Sequence, residues 1–316
     1  MNKVKSNLGL IAILLAMTIV FASCDEDDDD NATPDNTPEM SSIVEIATSN
    51  NDFSILVDAL TKADLVSTLS ADGPFTVFAP TNDAFEMLFD DLGVNGIDDL
   101  SAETLTPILL YHVMSGKAMS SDISTAYYST LSTATSDNNG MVLYAEVDNM
   151  VKINNSAMVT TADVEATNGV VHIIDKVILP PTVVDIAIQN ANFSTLVAAV
   201  VKAGLVDALN AEGPFTVFAP TNAAFEEAFI ALGVSGIDEL TAEALTPILL
   251  YHVVPDNVLA SEVSTGSVPT LNEESNISIE VSDQGVVLDN SANVVATDVQ
   301  GSNGVVHVID SVILPN

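Results

Sequence analysis

Histidine is the residue in this sequence whose type could most readily do chemistry, and its four copies form two pairs. His112 and His172 lie 60 positions apart, and His252 and His307 lie 55 positions apart. A zinc site usually needs three or four nitrogen, sulfur or oxygen ligands, often at short helical or loop spacing. Each histidine instead stands between apolar neighbours, as in LYHV at 110–113. A buried histidine hydrogen-bonded to a backbone or acidic partner fits this pattern better, so we predict no metal site.

Carboxylates and hydroxyls offer the other routes to catalysis. No G-x-S-x-G nucleophile elbow appears, and the serines lie in polar stretches. A glycosidase needs two converging carboxylates, and among 44 acidic residues Asp163 and Asp298 match each other in TADV and ATDV. An acid at a turn or strand end that binds local amides explains this pair more simply. Without a phosphate-binding glycine loop or a full EF-hand pattern, we expect a non-enzymatic protein with no cofactor.

The single cysteine, Cys24, follows a segment with the features of an export signal. Two lysines in MNKVKSN precede an apolar run from Leu8 to Ala22, which is short for a membrane span. FASC at 21–24 resembles a bacterial lipobox, whose cysteine is diacylated, with phenylalanine in place of the usual leucine. The DEDDDD that follows resembles the acidic signal of surface-exported Bacteroidetes lipoproteins. We expect residues 1–23 to be a lipoprotein signal peptide and Cys24 to carry a lipid anchor at the outer face of the outer membrane.

The charge balance excludes one class of partner. The sequence holds 44 acidic and 7 basic residues, for a net charge of −37, and every basic residue is a lysine. Nucleic-acid binding needs basic side chains that displace counterions from the phosphates. We therefore predict no nucleic-acid partner.

The chain after an acidic, proline-containing linker at 24–39 is an internal duplication. GPFTVFAPTN occurs at 73–82 and again at 213–222, and LTPILLYHV recurs with the same offset of 140. Farther on, NGVVHIIDKVILP is answered by NGVVHVIDSVILP with an offset of 135. A period of this size indicates tandem domains, each with its own core. We place them at 40–180 and 181–316.

Within one copy the pattern predicts helices first and strands later. Apolar residues at helical spacing predict a helix after Asp52, which could cap it. Thr81 is expected to cap NDAFEMLFDDL, with Gly93 at its C-terminal end, and Thr106 with a following proline is expected to open ILLYHV. Short strands follow between 127 and 180, separated by Asp, Asn and Gly clusters. This order predicts an α+β fold rather than a parallel α/β sheet.

Three stretches together resemble the fasciclin domain, and they occur twice. TVFAPTNDAF, ILLYHV and NGVVHIIDKVILP stand in that family's order and spacing, and the two copies cover about residues 40–315. The resemblance implies a wedge in each domain: a twisted antiparallel β-sandwich of about seven strands with helices packed at one side. It also implies that FTVFAP and VVHIIDKVIL are neighbours in the core.

The resemblance also implies interaction candidates. In animal fasciclin domains a Tyr-His stretch and an Asp-aliphatic pair are associated with adhesion to cell receptors. The matching residues here are Tyr111, His112, Asp163, Val164, Tyr251, His252, Asp298 and Val299.

These observations favour a non-enzymatic surface lipoprotein that displays two fasciclin modules to an extracellular protein or polysaccharide. Its membrane contact would be the N-terminal lipid anchor. The alternative is an enzyme or a carrier of small ligands or polysaccharide, with its site between the domains or in the divergent loop 116–149.

Overall fold

The computed structural model describes residues 40–134 and 139–315, so the expected signal peptide, Cys24 and the acidic linker lie outside the described residues. From Met40 onward the chain is one compact unit. Two copies of the same α+β arrangement follow one another within it. The predicted fold class is therefore confirmed.

Each copy begins with a helical half whose element order is the same in both. The first copy has α1 Ile43–Ser49, α2 Ser54–Lys62, α3 Val66–Leu69, α4 Asn82–Leu92 and α5 Ala102–Tyr111. The second copy has α6 Val183–Gln189, α7 Ser194–Lys202, α8 Val206–Leu209, α9 Asn222–Leu232 and α10 Ala242–Tyr251. Short 3-10 helices lie at Asn51–Phe53, Ile97–Asp99, Ala191–Phe193 and Ile237–Glu239.

Seven strands per copy form the other half. The first copy has β1 Phe75–Pro80, β2 Val113–Ser115, β3 Ala126–Ala134, β4 Asn139–Val147, β5 Val151–Ile153, β6 Ala157–Ala166 and β7 Gly169–Ile174. The second has β8 Phe215–Pro220, β9 Val253–Val254, β10 Gly266–Pro269, β11 Asn276–Ser282, β12 Gly285–Leu288, β13 Ala292–Gln300 and β14 Gly304–Ile309. The strand orders are β2-β1-β7-β6-β5-β4-β3 and β10-β11-β12-β13-β14-β8-β9.

The sheet is mixed, which corrects one detail of the expectation. β1 pairs with β7 in parallel, whereas its other neighbour, β2, is antiparallel to it. The expected adjacency of FTVFAP and the last signature is confirmed by this pair. Parallel pairing follows from the connection, since β1 and β7 are joined through the rest of the domain rather than by a hairpin.

The strand β1 divides the core of the first domain in two. Val77 and Ala79 point into a cluster shared with the helices, and Phe78 points into a second cluster formed with the strands. Successive strand side chains alternate between faces, so five consecutive residues of β1 are buried. β8 has the same role in the second domain.

Helix α4 forms as its sequence predicts, whereas the predicted starts of two other helices were wrong. Thr81 caps α4, and Gly93 ends it in the left-handed conformation. The turn before α2 is capped by Asn50 rather than by Asp52, because the Asn50 side chain accepts the backbone N–H two residues on. Helix α5 begins earlier than Thr106, because Ser101 accepts the N–H of Thr104 as its cap.

The two domains touch through the first domain's strands β3 and β4. Tyr127 and Val142 of those strands pack against the helical core of the second domain. The hydroxyl of Tyr127 accepts a hydrogen bond of 3.0 Å from the amide nitrogen of Asn190, at the end of α6. The interface thus combines apolar packing with a side-chain hydrogen bond.

Candidate functional site

Asp163 stands at a bulge in β6 and gathers the most polar contacts of the predicted site residues. Its φ is +62°, and the β6–β7 register shifts just before Val164. Its carboxylate accepts the Ser120 N–H at 2.7 Å and the Ser120 hydroxyl at 2.6 Å. These two hydrogen bonds hold the pKa of the Asp163 carboxyl below its usual value.

Ser120, Asp163 and His172 have the residue types of a catalytic triad but not its connections. The Asp163 N–H donates to His172 Nδ1 at 3.2 Å, so Nε2 carries the proton and donates to the Ala118 carbonyl at 2.9 Å. Ser120 donates its hydroxyl proton to the carboxylate rather than to an imidazole. A triad needs the base next to the nucleophile, so this trio can bridge two segments but cannot activate the serine.

The second domain repeats this aspartate–histidine arrangement without the serine hydroxyl. Asp298, at φ +60°, accepts the Ala260 N–H at 2.8 Å, and its own N–H donates to His307 Nδ1 at 3.3 Å. His307 Nε2 lies 2.9 Å from the Val258 carbonyl. Because alanine stands where the first domain has Ser120, the shared part of the arrangement contains no hydroxyl. That loss favours a structural role for both copies.

His112 and His252 close the ends of helices α5 and α10. His112 Nδ1 donates to the Ile108 carbonyl at 2.8 Å, and Nε2 accepts the Ile178 N–H at 3.0 Å. His252 makes the same pair of bonds with Ile248 and Ile313. Burial lowers the pKa of each imidazole to about 4, since a charged ring would lose its hydration. Both rings are therefore neutral at pH 7, with both nitrogens engaged.

Tyr111 and Tyr251 are fully buried and use their hydroxyls to hold a hairpin. The Tyr111 hydroxyl donates to the Val142 carbonyl at 2.9 Å and accepts from the Asn154 amide at 2.8 Å. In the second domain the Tyr251 hydroxyl lies 2.9 Å from an Asp289 carboxylate oxygen. Burial raises the pKa of both phenols. Asn154 and Asp289 each sit in the tight turn between adjacent strands, with positive φ.

The structure thus separates the eight interaction candidates by exposure. Both tyrosines and the histidine after each of them are core residues, at most 2% exposed. Val299 is buried, and Val164 is partly buried against the helical core. Like Val164, the two aspartates are partly exposed, and 33% of the Asp163 side chain is exposed. The interaction role of the eight residues stays a prediction, and in this conformation a partner could reach mainly Asp163, Val164 and Asp298.

The described residues contain neither a metal-ligand cluster nor a single helix that could span a membrane. Among the described residues, no group of three or more histidine, cysteine or acidic side chains is arranged to hold a metal ion. Within 40–134 and 139–315, no single helix combines the length and hydropathy needed to cross a membrane. In the described part of the chain, one pair of helical segments, Val183–Gln189 and Ala191–Lys202, has the length and composition of a span when taken together, but the two are bent by 107° to each other.

The repeated architecture and its shared polar contacts agree with comparisons against known proteins. The family model of the fasciclin domain matches residues 51–180 and 191–315. The chain belongs to the fasciclin domain family. Over 138 residues the chain is also 50% identical to a cyanobacterial protein, Protein sll1483 of Synechocystis, and this match covers 42% of this chain and 73% of that protein.

The chain is also similar to a longer protein and to a solved structure. The transforming growth factor-beta-induced protein ig-h3 of Sus scrofa is 33% identical over 270 residues, which are 84% of this chain and 36% of that protein. The chain therefore spans about a third of the length of ig-h3. The FAS1 domain pair of the insect cell adhesion molecule fasciclin I covers 86% of this chain and 95% of that chain, with a TM-score of 0.49 and 20% identity.

Sequence reasoning missed the asparagines that organise each fasciclin domain. Asn168 accepts the N–H of Ile43 and donates to the carbonyls of Leu69 and Ala71, which ties α1 and the turn before β1 to β7. Asn303 makes the equivalent bonds in the second domain. The sequence feature that could have indicated this role is that an asparagine begins both copies of NGVVH.

Proposed function

We propose that the protein is a non-enzymatic surface lipoprotein whose two fasciclin domains bind an extracellular protein or polysaccharide. The observation that carries this proposal is the engagement of the shared histidines and tyrosines, which hold helix ends and hairpins inside each domain. Fasciclin domains are associated with adhesion and binding in relatives, one of which is an insect cell adhesion molecule. The function then belongs to the outer surfaces of the domains.

Two domains on one chain support binding by avidity. When both domains engage the same polymer or surface, the second contact forms at a high effective concentration and the complex dissociates more slowly. The net charge of −37 favours partners that are neutral, basic or bridged by cations, because anionic surfaces repel the protein at low salt. The proposed lipid at Cys24 would hold the protein at the membrane despite that repulsion.

Attachment of whole cells tests the proposal. Cells that express the full chain should attach to a responsive glycan or matrix-protein surface, and the purified protein should compete for that attachment. The matched control is Cys24→Ser, which should lose outer-membrane fractionation and attachment while keeping the purified protein's ability to compete. Attachment equal to that of cells lacking the protein, across a broad panel of surfaces, would contradict adhesion; a Cys24→Ser chain that stays in the outer membrane would contradict the anchor.

A further inference from the structure

The helical half of the second domain encloses an apolar cavity that the first domain nearly lacks. The cavity lies between α6, α7 and the strands β8 and β14, and its volume is about 120 Å³. The cavity at the same place in the first domain measures about 20 Å³. An apolar cavity of about 150 Å³ in another protein stays dry and binds benzene. The second domain therefore has room for one small apolar group.

Two substitutions in the cavity wall account for part of the difference in volume between the copies. Val183 stands where the first domain has Ile43, and Val200 stands where it has Leu60. Each change removes one methylene from a buried position, because all four side chains are at most 8% exposed. Neighbouring side chains in a packed interior relax only partly around such a loss, so the space remains as a void.

The entrance of the cavity also differs between the copies, and it is more apolar in the second domain. Ile188 and Val201 are 54% and 60% exposed beside the cavity. The first domain has Thr48 and Thr61 at these positions, and both hydroxyls donate to carbonyls of their own helices. Large aliphatic side chains at an exposed rim lose contact with water when a ligand covers them, which favours binding of apolar molecules.

The lining excludes charged and strongly polar ligands. His252 is the single polar residue in it, and both of its ring nitrogens are engaged with backbone groups. The nearest cation along α7, Lys202, donates to the carbonyls of Ile237 and Asp238. A ligand hydroxyl or carboxylate would therefore enter without a hydrogen-bond partner and lose its hydration.

We propose that the second domain binds a neutral apolar small molecule in this cavity, with a benzene-sized ring or short alkyl group inside and any further chain over Ile188 and Val201. The first domain does not share this site. The proposal is independent of the adhesion function, since it concerns an interior site rather than the outer surfaces.

Benzene, phenol and n-butylbenzene test the site on the purified protein. Benzene should raise Tm by about 2 °C or more near saturation, since a ligand that binds only the folded state stabilises it. It should also shift the methyl NMR signals of Val183, Val200 and Leu196. Phenol, which adds only a hydroxyl, should bind at least about tenfold more weakly. An unchanged Tm together with unchanged methyl signals in benzene, or equal affinity for phenol, would overturn the proposal.

Variants that carry the first domain's residues provide matched controls. Val183→Ile with Val200→Leu should raise Tm without ligand and abolish the benzene effect. Ile230→Thr, at an exposed position of α9 outside the cavity lining, should leave the benzene effect intact. Ile188→Thr with Val201→Thr should keep benzene affinity and weaken n-butylbenzene about tenfold, because the alkyl chain loses its apolar cover. If the Val183→Ile, Val200→Leu variant does not fold, a benzene titration of the single variant Val200→Leu takes its place. If the Val183→Ile, Val200→Leu variant folds and still binds benzene, the site lies elsewhere. If the Ile188→Thr, Val201→Thr variant binds n-butylbenzene as tightly as the wild type, the proposed entrance is wrong.

Discussion

At the scale of single residues, the polar groups that could do chemistry are used to join segments of backbone. His112 and His252 each connect the end of a helix to the segment after the last strand of their domain. Asp163 and Asp298 connect a bulge to the loop after β2 in the first domain and after β9 in the second. A buried polar group without a partner is costly, so these residues are constrained by the fold whether or not a ligand binds.

The buried histidines predict a loss of stability on acidification. Their pKa is lowered to about 4 in the folded protein, against about 6.5 in the unfolded chain. Between these values the unfolded chain binds more protons, so the free energy of unfolding falls as pH falls. From pH 7 to pH 5 each histidine should remove about 2 kcal/mol. Chemical denaturation at both pH values measures the effect.

A non-titrating variant isolates the histidine contribution from that of the many carboxylates. His112→Gln lowers stability at pH 7, because it disturbs the bonds to Ile108 and Ile178. Its additional loss between pH 7 and pH 5 should be smaller than that of the wild type by about 2 kcal/mol. Parallel pH curves for the two proteins would contradict a neutral, buried His112.

At the scale of elements, the repeated GPFTVFAPTN is explained by close contacts at both of its ends. Gly73 has a φ of +62°, and a Cβ there would collide with the carbonyl oxygen of Asn168. At the other end, Asn82 accepts the Ile55 N–H and donates to the Asn51 carbonyl, which holds the start of α2. The stretch is thus a strand whose two ends are held in place by contacts with Asn168 and with the start of α2.

Two glycines with similar φ allow the cost of a steric collision to be separated from the cost of a left-handed backbone. Gly93 has a φ of +68° with nothing within 4 Å of an added Cβ, whereas Gly73 adds the collision with Asn168. Gly93→Ala should cost about 1 kcal/mol and Gly73→Ala about 2–4 kcal/mol of unfolding free energy. Urea denaturation of both variants gives the comparison. Equal costs would mean that the backbone at Gly73 moves aside freely.

The sequence predicts elements well where a local signal ends them and poorly where the determinant is distant. Helix α4 follows from Thr81 and Gly93 because both act within one turn. The start of α5 was misplaced because Pro107 looks like a first-turn proline, although Ser101 provides the cap and Pro107 lies inside the helix. The contacts of Asn168 with Leu69 and of Tyr111 with Asn154 join residues far apart in sequence, so no local pattern contains them.

At the scale of the whole molecule, the two domains have the same fold but different contacts with the rest of the chain. Tyr127 lies in the interface, where burial raises the pKa of its phenol and its ring packs 5.0 Å from that of Tyr144. The equivalent position in the second domain is Ser267, which is exposed. The interface is therefore specified by residues outside the motifs that the copies share, as is the cavity of the second domain.

This interface predicts cooperative unfolding that depends on one tyrosine. Differential scanning calorimetry of the wild type should show one transition, and Tyr127→Ala should split it in two, because the ring and its hydrogen bond to Asn190 are both lost. Tyr127→Phe should keep one transition and lose about 1 kcal/mol. Tyr128→Ala is the control, because Tyr128 packs against the first domain's own strand cluster. This variant should lower Tm while the two domains still unfold in one transition. Two transitions already present in the wild type, or a Tyr127→Ala profile that stays single, would mean that this contact does not couple the domains.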